Sequence, residues 1–185
     1  MSKSMFKIPF SVKLMIQLAL LIALEIVFNR FLSIRTSFVK IGFSFVPIVI
    51  CACAFGPVWA TAAYVIADVL GTVIEGNVPL PGLTLSLALM GFMFGVFLYG
   101  ADGSSLDKPK TWVRIVAPVV LNQLLLSLLA NSYWLFLAGF GAGGTYAATV
   151  VARIPQTLIL IPVQVVVIPV LLRVVVILHR QRLIG

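Results

Sequence analysis

Long apolar stretches occupy most of this sequence and constrain its fold more than any other feature. Hydrophobic residues account for 62% of the 185 positions, whereas charged residues account for only 10%. A helix needs roughly 20 apolar residues to cross the hydrocarbon core of a bilayer. The sequence therefore predicts one all-α domain (1–185), an integral membrane bundle of six transmembrane helices. The predicted spans are about 11–33, 41–55, 58–75, 83–100, 112–138 and 147–178.

Basic residues are distributed unevenly around these spans. An even number of spans places both termini on one side of the membrane, and loops rich in Lys and Arg stay cytoplasmic. Nine of the thirteen basic residues fall on the side that carries the termini, so we predict that both termini are cytoplasmic. The other four basic residues are predicted to lie on the outer side: Arg30, Arg35, Lys40 and Arg153.

The four outer cations have two interpretations. Long basic side chains at helix ends can extend along the helix to reach lipid phosphates. A cation held at an outer helix end can instead bind an anionic solute. Because the four residues are concentrated in two outer connections, while the third outer loop has none, we favour a ligand-binding role for the group.

Motifs for catalysis are absent from the sequence. It has no G-x-x-x-x-G-K-[ST] phosphate loop and no H-E-x-x-H zinc motif. The one histidine, His179, lies near the C-terminus, and Cys51 and Cys53 lie inside an apolar stretch, where we interpret them as packing residues. We therefore predict that this chain is not an enzyme and holds no metal or cofactor. The net charge of +8 is attributed to membrane topology rather than to nucleic-acid binding.

Several polar residues lie inside the predicted spans, where their burial is costly. Asp68 can accept hydrogen bonds from ring amino groups of a solute or form a structural pair, and Glu25 is interpreted as structural. Asn131 and Gln156 need hydrogen-bond partners, which another helix or a solute can supply. The predicted binding site contains three hydrogen-bonding groups: Asp68, Asn131 and Gln156. Three basic residues at its outer opening are predicted to hold the solute electrostatically: Arg35, Lys40 and Arg153.

Small residues recur at four-residue spacing on three predicted helices. This spacing places both small side chains on one helix face and lets another helix approach closely. Apolar helices contain many such pairs by chance, so we expect most of them to serve internal packing. The pairs are Ala19 and Ala23, Ala63 and Ala67, and Gly91 and Gly95.

An ordered series of short motifs between residues 12 and 100 resembles a known family. The stretch 32–47 reads LSIRTSFVKIGFSFVP, and 55–59 reads FGPVW. These are followed by DVLG at 68–71, PGLT at 81–84 and LMGFMFGVFL at 89–98. The folate-family substrate-binding (S) components of energy-coupling factor (ECF) vitamin importers show a similar progression: K-I-G-F-x-F-x-P, F-G-P, D-x-x-G, P-G-F-T and L-x-G-x-x-x-G-x-F-L.

The resemblance implies a protein of the prokaryotic cell membrane that captures a water-soluble vitamin at an outward-facing pocket. It also implies a separate transmembrane coupling subunit with two ATPase subunits, which would bind ATP and Mg²⁺. In this family an A-x-x-x-A pattern on the first helix contacts the coupling subunit, and Ala19 and Ala23 match that pattern. The outer segments 79–82 and 139–144 are then expected to form lids over the captured vitamin.

The resemblance points to folate as the vitamin, but two motifs depart from the family pattern. PGLT stands at 81–84 where relatives often have P-G-F-T preceded by an aromatic residue, and Ser37-Phe38 stands where they often have Trp-Asn. Fewer outer aromatic residues leave less surface for stacking a pterin. Hydroxymethylpyrimidine and a B6 vitamer therefore remain open as alternatives, while the outer cations favour an anionic ligand such as folate.

Two functions of other classes are less well supported by the sequence. A stand-alone secondary transporter would favour internal repeats, and the two halves of the chain show no convincing similarity. A small membrane enzyme acting on lipid or isoprenoid phosphates would need clustered Asp or His residues. The cytoplasmic loops offer only Asp102 and Asp107. The expected order is importer subunit, then transporter, then enzyme.

Overall fold

The computed structural model describes residues 11–35, 40–101 and 108–180, apart from the side chains of Arg35, His179 and Arg180. A short antiparallel pair of strands, β1 (Ser33–Arg35) and β2 (Lys40–Gly42), lies between the first two helices. A π-helical segment (Asn122–Ala130) follows the helix Pro109–Leu121 and continues into the helix Asn131–Leu137 without a break, and a 3-10 turn (Ala142–Gly144) precedes the last helix. The helices are α1 (Val12–Arg30), α2 (Phe45–Phe55), α3 (Pro57–Ile74), α4 (Pro81–Leu98), α5 (Pro109–Leu121), α6 (Asn131–Leu137) and α7 (Tyr146–Arg180).

Five helical segments within the described ranges are long and apolar enough to cross a membrane. They are α1, α3, α4, the continuous segment Pro109–Leu137, and Tyr146–Leu178 of α7. One further apolar helix, α2, has only 11 residues. These features confirm the prediction of a mostly helical, multi-pass membrane protein. The second predicted span, about 41–55, begins within β2, and its helix starts only at Phe45 because residues 40–42 pair with β1.

The strand pair explains why glycine stands in the K-I-G-F stretch. Ser33 is the register partner of Gly42, and Arg35 is the partner of Lys40. A Cβ atom at position 42 would lie 2.6 Å from the Cβ of Ser33, closer than two carbon atoms can pack. Glycine therefore allows the two strands to meet, and the pairing holds Lys40 beside the end of α1.

The short helix α2 forms the centre of the bundle. Ile48, Val49, Cys51 and Ala52 are completely buried, and α2 packs against α1, α3, α4 and α7. Because the side chains of α2 are almost entirely apolar, a helix enclosed by others is its favourable environment. Both cysteines are free and buried here, in agreement with their predicted packing role.

The small-residue pairs of α3 and α4 lie in the interior of the bundle. Ala63 and Ala67 are buried, and a Cβ at Gly95 would lie 2.2 Å from the Cα of Pro57. A Cβ at Gly91 would lie 2.8 Å from the carbonyl oxygen of Ala60. The glycines therefore let α4 approach the backbone of α3 closely, as small residues do between membrane helices.

Arg30 ties the last turn of α1 to the last turn of α3. Its guanidinium donates to the carboxylate of Glu75 and, over 3.1 Å, to the hydroxyl of Thr72. Gly71 makes room for this arrangement, because a Cβ there would lie 2.8 Å from Nε of Arg30. One of the four outer cations is thus engaged in a structural ion pair. We call the end of the bundle that carries this pair and the two strands the hairpin end.

We expect Glu75→Met to lower the free energy of unfolding by about 1–3 kcal/mol, since it removes a hydrogen bond between charged groups. The fall in thermal midpoint of the purified protein measures this effect. Arg173 is exposed on α7, so R173M is a control that should leave the midpoint unchanged. Equal midpoints for E75M and R173M would show that the ion pair does not stabilise the fold.

Candidate functional site

A cavity of about 290 Å³ extends from the hairpin end into the bundle. Its walls come from α1, β2, α2, α3, α4, the π-helical segment, α6 and α7. Ligand pockets have volumes from roughly 300 Å³ upward and combine apolar walls with a few polar groups. The cavity lies just below that range, and its lining is rich in amide side chains.

Five of the six residues predicted to bind a substrate line this one cavity: Lys40, Asp68, Asn131, Arg153 and Gln156. The side chain of the sixth, Arg35, lies outside the part of the chain that the structure describes. The fold therefore brings together residues that are up to 116 positions apart, as in the hydrogen bond between Lys40 and Gln156. Their role in binding remains a prediction.

Asp68 is oriented by the PGLT motif at the start of α4. The hydroxyl of Thr84 donates to one carboxylate oxygen of Asp68 over 2.7 Å. Thr84 also lies 3.3 Å from the carbonyl oxygen of Leu80, one turn earlier. The Asp68 side chain, which is partly exposed towards the cavity, thus has one of its oxygens held in place.

Arg153 is a buried cation rather than one that reaches the lipid surface. Only 6% of the residue is exposed, and its Nη2 donates to the carbonyl oxygen of Ser127 over 3.0 Å. Ser127 belongs to the π-helical segment, so this bond joins two elements of the cavity wall, α7 and the π-helical segment. A buried charge is stabilised when a partner of opposite charge binds beside it. This position therefore suits an anionic group of a ligand.

Four amide residues of the lining were not singled out from the sequence. A single amide side chain in an apolar span can bond to another helix or to a solute. The sequence alone therefore does not show that it belongs to a binding site. The four are Asn29, Asn122, Gln123 and Gln164.

The π-helical segment explains how neighbouring amides can both face the cavity. A π-helix bonds residue i to residue i+5 and has a wider turn than an α-helix, and such segments are frequent at functional sites. Asn122, Gln123 and Ser127 are all buried and all line the cavity. In a regular α-helix, adjacent side chains point further apart, so one of the two amides would be turned away from the cavity.

Buried amide oxygens at the cavity lack hydrogen-bond partners among the described residues. They belong to Asn122, Gln123, Asn131 and Gln164. Leaving a buried polar group unsatisfied costs about 1–3 kcal/mol. A solute with several N–H groups would supply the missing donors, so this lining suits a nitrogen-rich polar ring.

Aromatic side chains complete the cavity wall. Phe45, Tyr64 and Phe94 are buried residues of α2, α3 and α4 that line the cavity together with leucines and Met90. Aromatic rings attract other flat rings through offset or edge-to-face packing. The described residues include no group of three His, Cys, Asp or Glu side chains that could hold a metal ion. The arrangement can bind a flat, hydrogen-bonding, anionic solute.

One of the two predicted lid segments is packed tightly against α6. A Cβ at Gly82 would lie 2.1 Å from Cδ2 of Trp134, so the start of α4 rests directly on the indole ring of α6. In the other segment, Phe140 is exposed, while a Cβ at Gly141 would lie 2.7 Å from the hydroxyl of Thr149. Both segments border the hairpin end, and their role as lids remains a prediction.

Comparison with known proteins places the chain in one family. The model of the family "ECF transporter, substrate-specific component" matches residues 13–172. A folate transporter FolT of Clostridium novyi is 34% identical over 153 residues, which are 82% of this chain and 83% of that protein. A folate transporter FolT of Leuconostoc mesenteroides is 28% identical over 170 residues, which are 90% of this chain and 88% of that protein.

Solved structures show the same fold. A crystal structure of FolT bound with folic acid superposes with a TM-score of 0.73 at 32% identity, covering 85% of this chain and 91% of that one. The S component for biotin from an ECF-type ABC transporter superposes with a TM-score of 0.60 at 17% identity, covering 94% and 96% of the two chains. The second match shows the fold alone. The predicted resemblance is confirmed, and with it the assignment to a transport component rather than an enzyme: the chain belongs to the family of ECF transporter substrate-specific components.

Proposed function

We propose that this chain captures folate outside the cell as the S component of an ATP-driven ECF importer. The observation that carries the proposal is the set of buried amide oxygens without partners around a cavity that also contains Lys40, Arg153 and three aromatic rings. Relatives named as folate transporters and a superposable FolT structure with folic acid support folate as the vitamin.

The chemistry of folate matches each part of the lining. Its pterin ring is flat and carries N–H donors, which suit the amide oxygens, the Asp68 carboxylate and the aromatic wall. Its glutamate carboxylates are anions, which suit Lys40 and Arg153. Charge-assisted hydrogen bonds of this kind are about twice as strong as neutral ones. Hydroxymethylpyrimidine and pyridoxine are smaller and have no glutamate, so they would offer no carboxylate to Lys40 and Arg153.

The proposed orientation places the cavity on the outer side of the membrane. Lys40 and Arg153 line the cavity, and Arg30 lies outside its lining at the hairpin end. Exposed basic residues at the opposite end, namely Lys110, Arg114 and Arg173, fit a cytoplasmic face. With α2 counted as the sixth span despite its length, both termini are cytoplasmic. The protein then lies in a prokaryotic cell membrane as a single substrate-binding domain.

The proposed partner surface lies on the face of α1 that points away from the bundle. Ala19 and Ala23 are exposed, unlike the buried pair Ala63 and Ala67. Small side chains that face lipid leave a shallow surface on which another membrane helix can pack closely. We assign this surface to the transmembrane coupling subunit. Two ATPase subunits bound to that partner would hold ATP and Mg²⁺ and supply the energy, while this chain itself holds no cofactor.

A ligand panel tests the proposed vitamin. The purified chain is expected to show a large upward shift of its thermal midpoint with folate and without ATP, and native mass spectrometry should detect one bound folate. Hydroxymethylpyrimidine, pyridoxine, pantothenate, thiamine and riboflavin should give much smaller shifts. A dominant shift with one of these compounds would transfer the proposal to that vitamin. No shift with any of them would contradict a capture function.

A further inference from the structure

Glu25 is the one acidic residue of α1, and it lies outside the cavity lining described above. It is completely buried, and one of its carboxyl oxygens accepts a hydrogen bond from Nδ2 of Asn29 over 2.7 Å. The two residues are four positions apart, so they lie on the same face of the helix. Asn29, unlike Glu25, lines the cavity.

This bond determines which end of the Asn29 amide faces Lys40. Because the amide nitrogen donates to Glu25, the amide oxygen is left to accept, and it accepts from Nζ of Lys40. The backbone N–H of Lys40 in turn donates to Oε1 of Gln156 over 3.0 Å. A continuous chain of hydrogen bonds therefore runs from α1 through β2 to α7, and three of its four members line the cavity.

We propose that Glu25 is a positioning residue for substrate capture: by fixing the orientation of the Asn29 amide, it holds the Lys40 ammonium at the cavity. The inference rests on the proposed function, since it concerns the same binding site. Without an acceptor at position 25, the nitrogen of the Asn29 amide loses its anchor, so the amide can rotate and carry its oxygen away from the ammonium. Lys40 would then no longer be held at the site of the bound anion.

The substitution Glu25→Met separates this role from a purely structural one. Methionine has a similar length but no acceptor. The other carboxyl oxygen of Glu25 is buried without a partner among the described residues, so its removal also removes an unsatisfied polar atom. Replacing a buried charged group by an apolar one of similar volume is often neutral or stabilising. E25M is therefore expected to keep or raise the thermal midpoint while the Kd for folate rises about 10-fold or more.

Two further variants make the test specific. E25Q keeps a carbonyl that can accept from Asn29, so we expect it to bind folate much more tightly than E25M. E75M removes a carboxylate that pairs with Arg30 away from the cavity lining. It should lower the thermal midpoint and leave the Kd unchanged. Wild-type affinity in E25M would overturn the proposal, and so would an E25Q variant as weak as E25M.

A second measurement does not depend on the vitamin. Amide hydrogen exchange at Lys40 in the ligand-free protein reports how firmly the residue is anchored. We expect the Lys40 amide to lose protection in E25M and to keep near-normal protection in E25Q. Unchanged protection in E25M would overturn the proposed positioning role of Glu25. Failure of the wild-type chain to bind folate would instead contradict the proposed function, while the exchange data would still decide the role of Glu25.

Discussion

Arg153→Met is expected to weaken folate binding more than any other single change in the cavity. The guanidinium is buried, and in the proposed complex it pairs with a carboxylate in a site with little water. Truncating one partner of such a pair costs about 2–5 kcal/mol, so the Kd should rise about 30-fold or more. Titration of folate into the purified variant measures the change.

The thermal midpoint distinguishes a loss of binding from a loss of folding. Methionine fills a similar volume without charge, so R153M should remain about as stable as the wild type in the absence of ligand. R173M, an exposed Arg→Met change on the same helix, is the matched control and should bind folate normally. An R153M variant that binds folate as tightly as R173M would show that Arg153 does not contact the ligand.

Leucine at both Ala19 and Ala23 is expected to abolish ATP-dependent uptake without affecting capture. Both positions are exposed in the isolated chain, so we expect the larger side chains to be accommodated without disturbing its fold. In a packed helix interface, added methylene groups cost about 1–3 kcal/mol at each position. Assembly with the coupling module should weaken about 5-fold or more for each site, and uptake into proteoliposomes should fall accordingly.

The double variant also needs a matched control and a binding measurement. Ala147 is exposed at the start of α7, so A147L introduces the same side chain elsewhere on the surface. It should leave uptake unchanged, and the A19L/A23L variant should keep its folate affinity. Normal assembly and uptake by the double variant would contradict the assignment of this face to the coupling subunit.

The sequence predicted the helices well because long apolar runs in a bilayer have few alternatives to helix. It did not predict β1 and β2, since strands of three residues are too short to show a periodic pattern. The π-helical segment was also missed, because its residues are as apolar and regular as those of an ordinary helix. That segment positions Asn122 and Gln123, so part of the cavity could not be located from the sequence.

The four basic residues predicted on the outer side show a second limit of prediction from the sequence. Arg30 and Arg153 look equivalent in the sequence, as basic residues at the ends of predicted spans. In the structure Arg30 pairs with Glu75, 45 positions away, while Arg153 is buried at the cavity. Such pairings depend on which helices are neighbours, and composition and spacing do not contain that information. The same is true of Glu25, whose link to Lys40 requires the register of β2 beside α1.

The central claim is that this chain alone binds folate. Calorimetric titration of folate into the purified wild-type protein, without ATP and without partner subunits, tests it most directly. The account predicts saturable binding of one folate per chain, tight enough to resist competition by hydroxymethylpyrimidine or pyridoxine. Absence of folate binding by a folded protein would contradict the account.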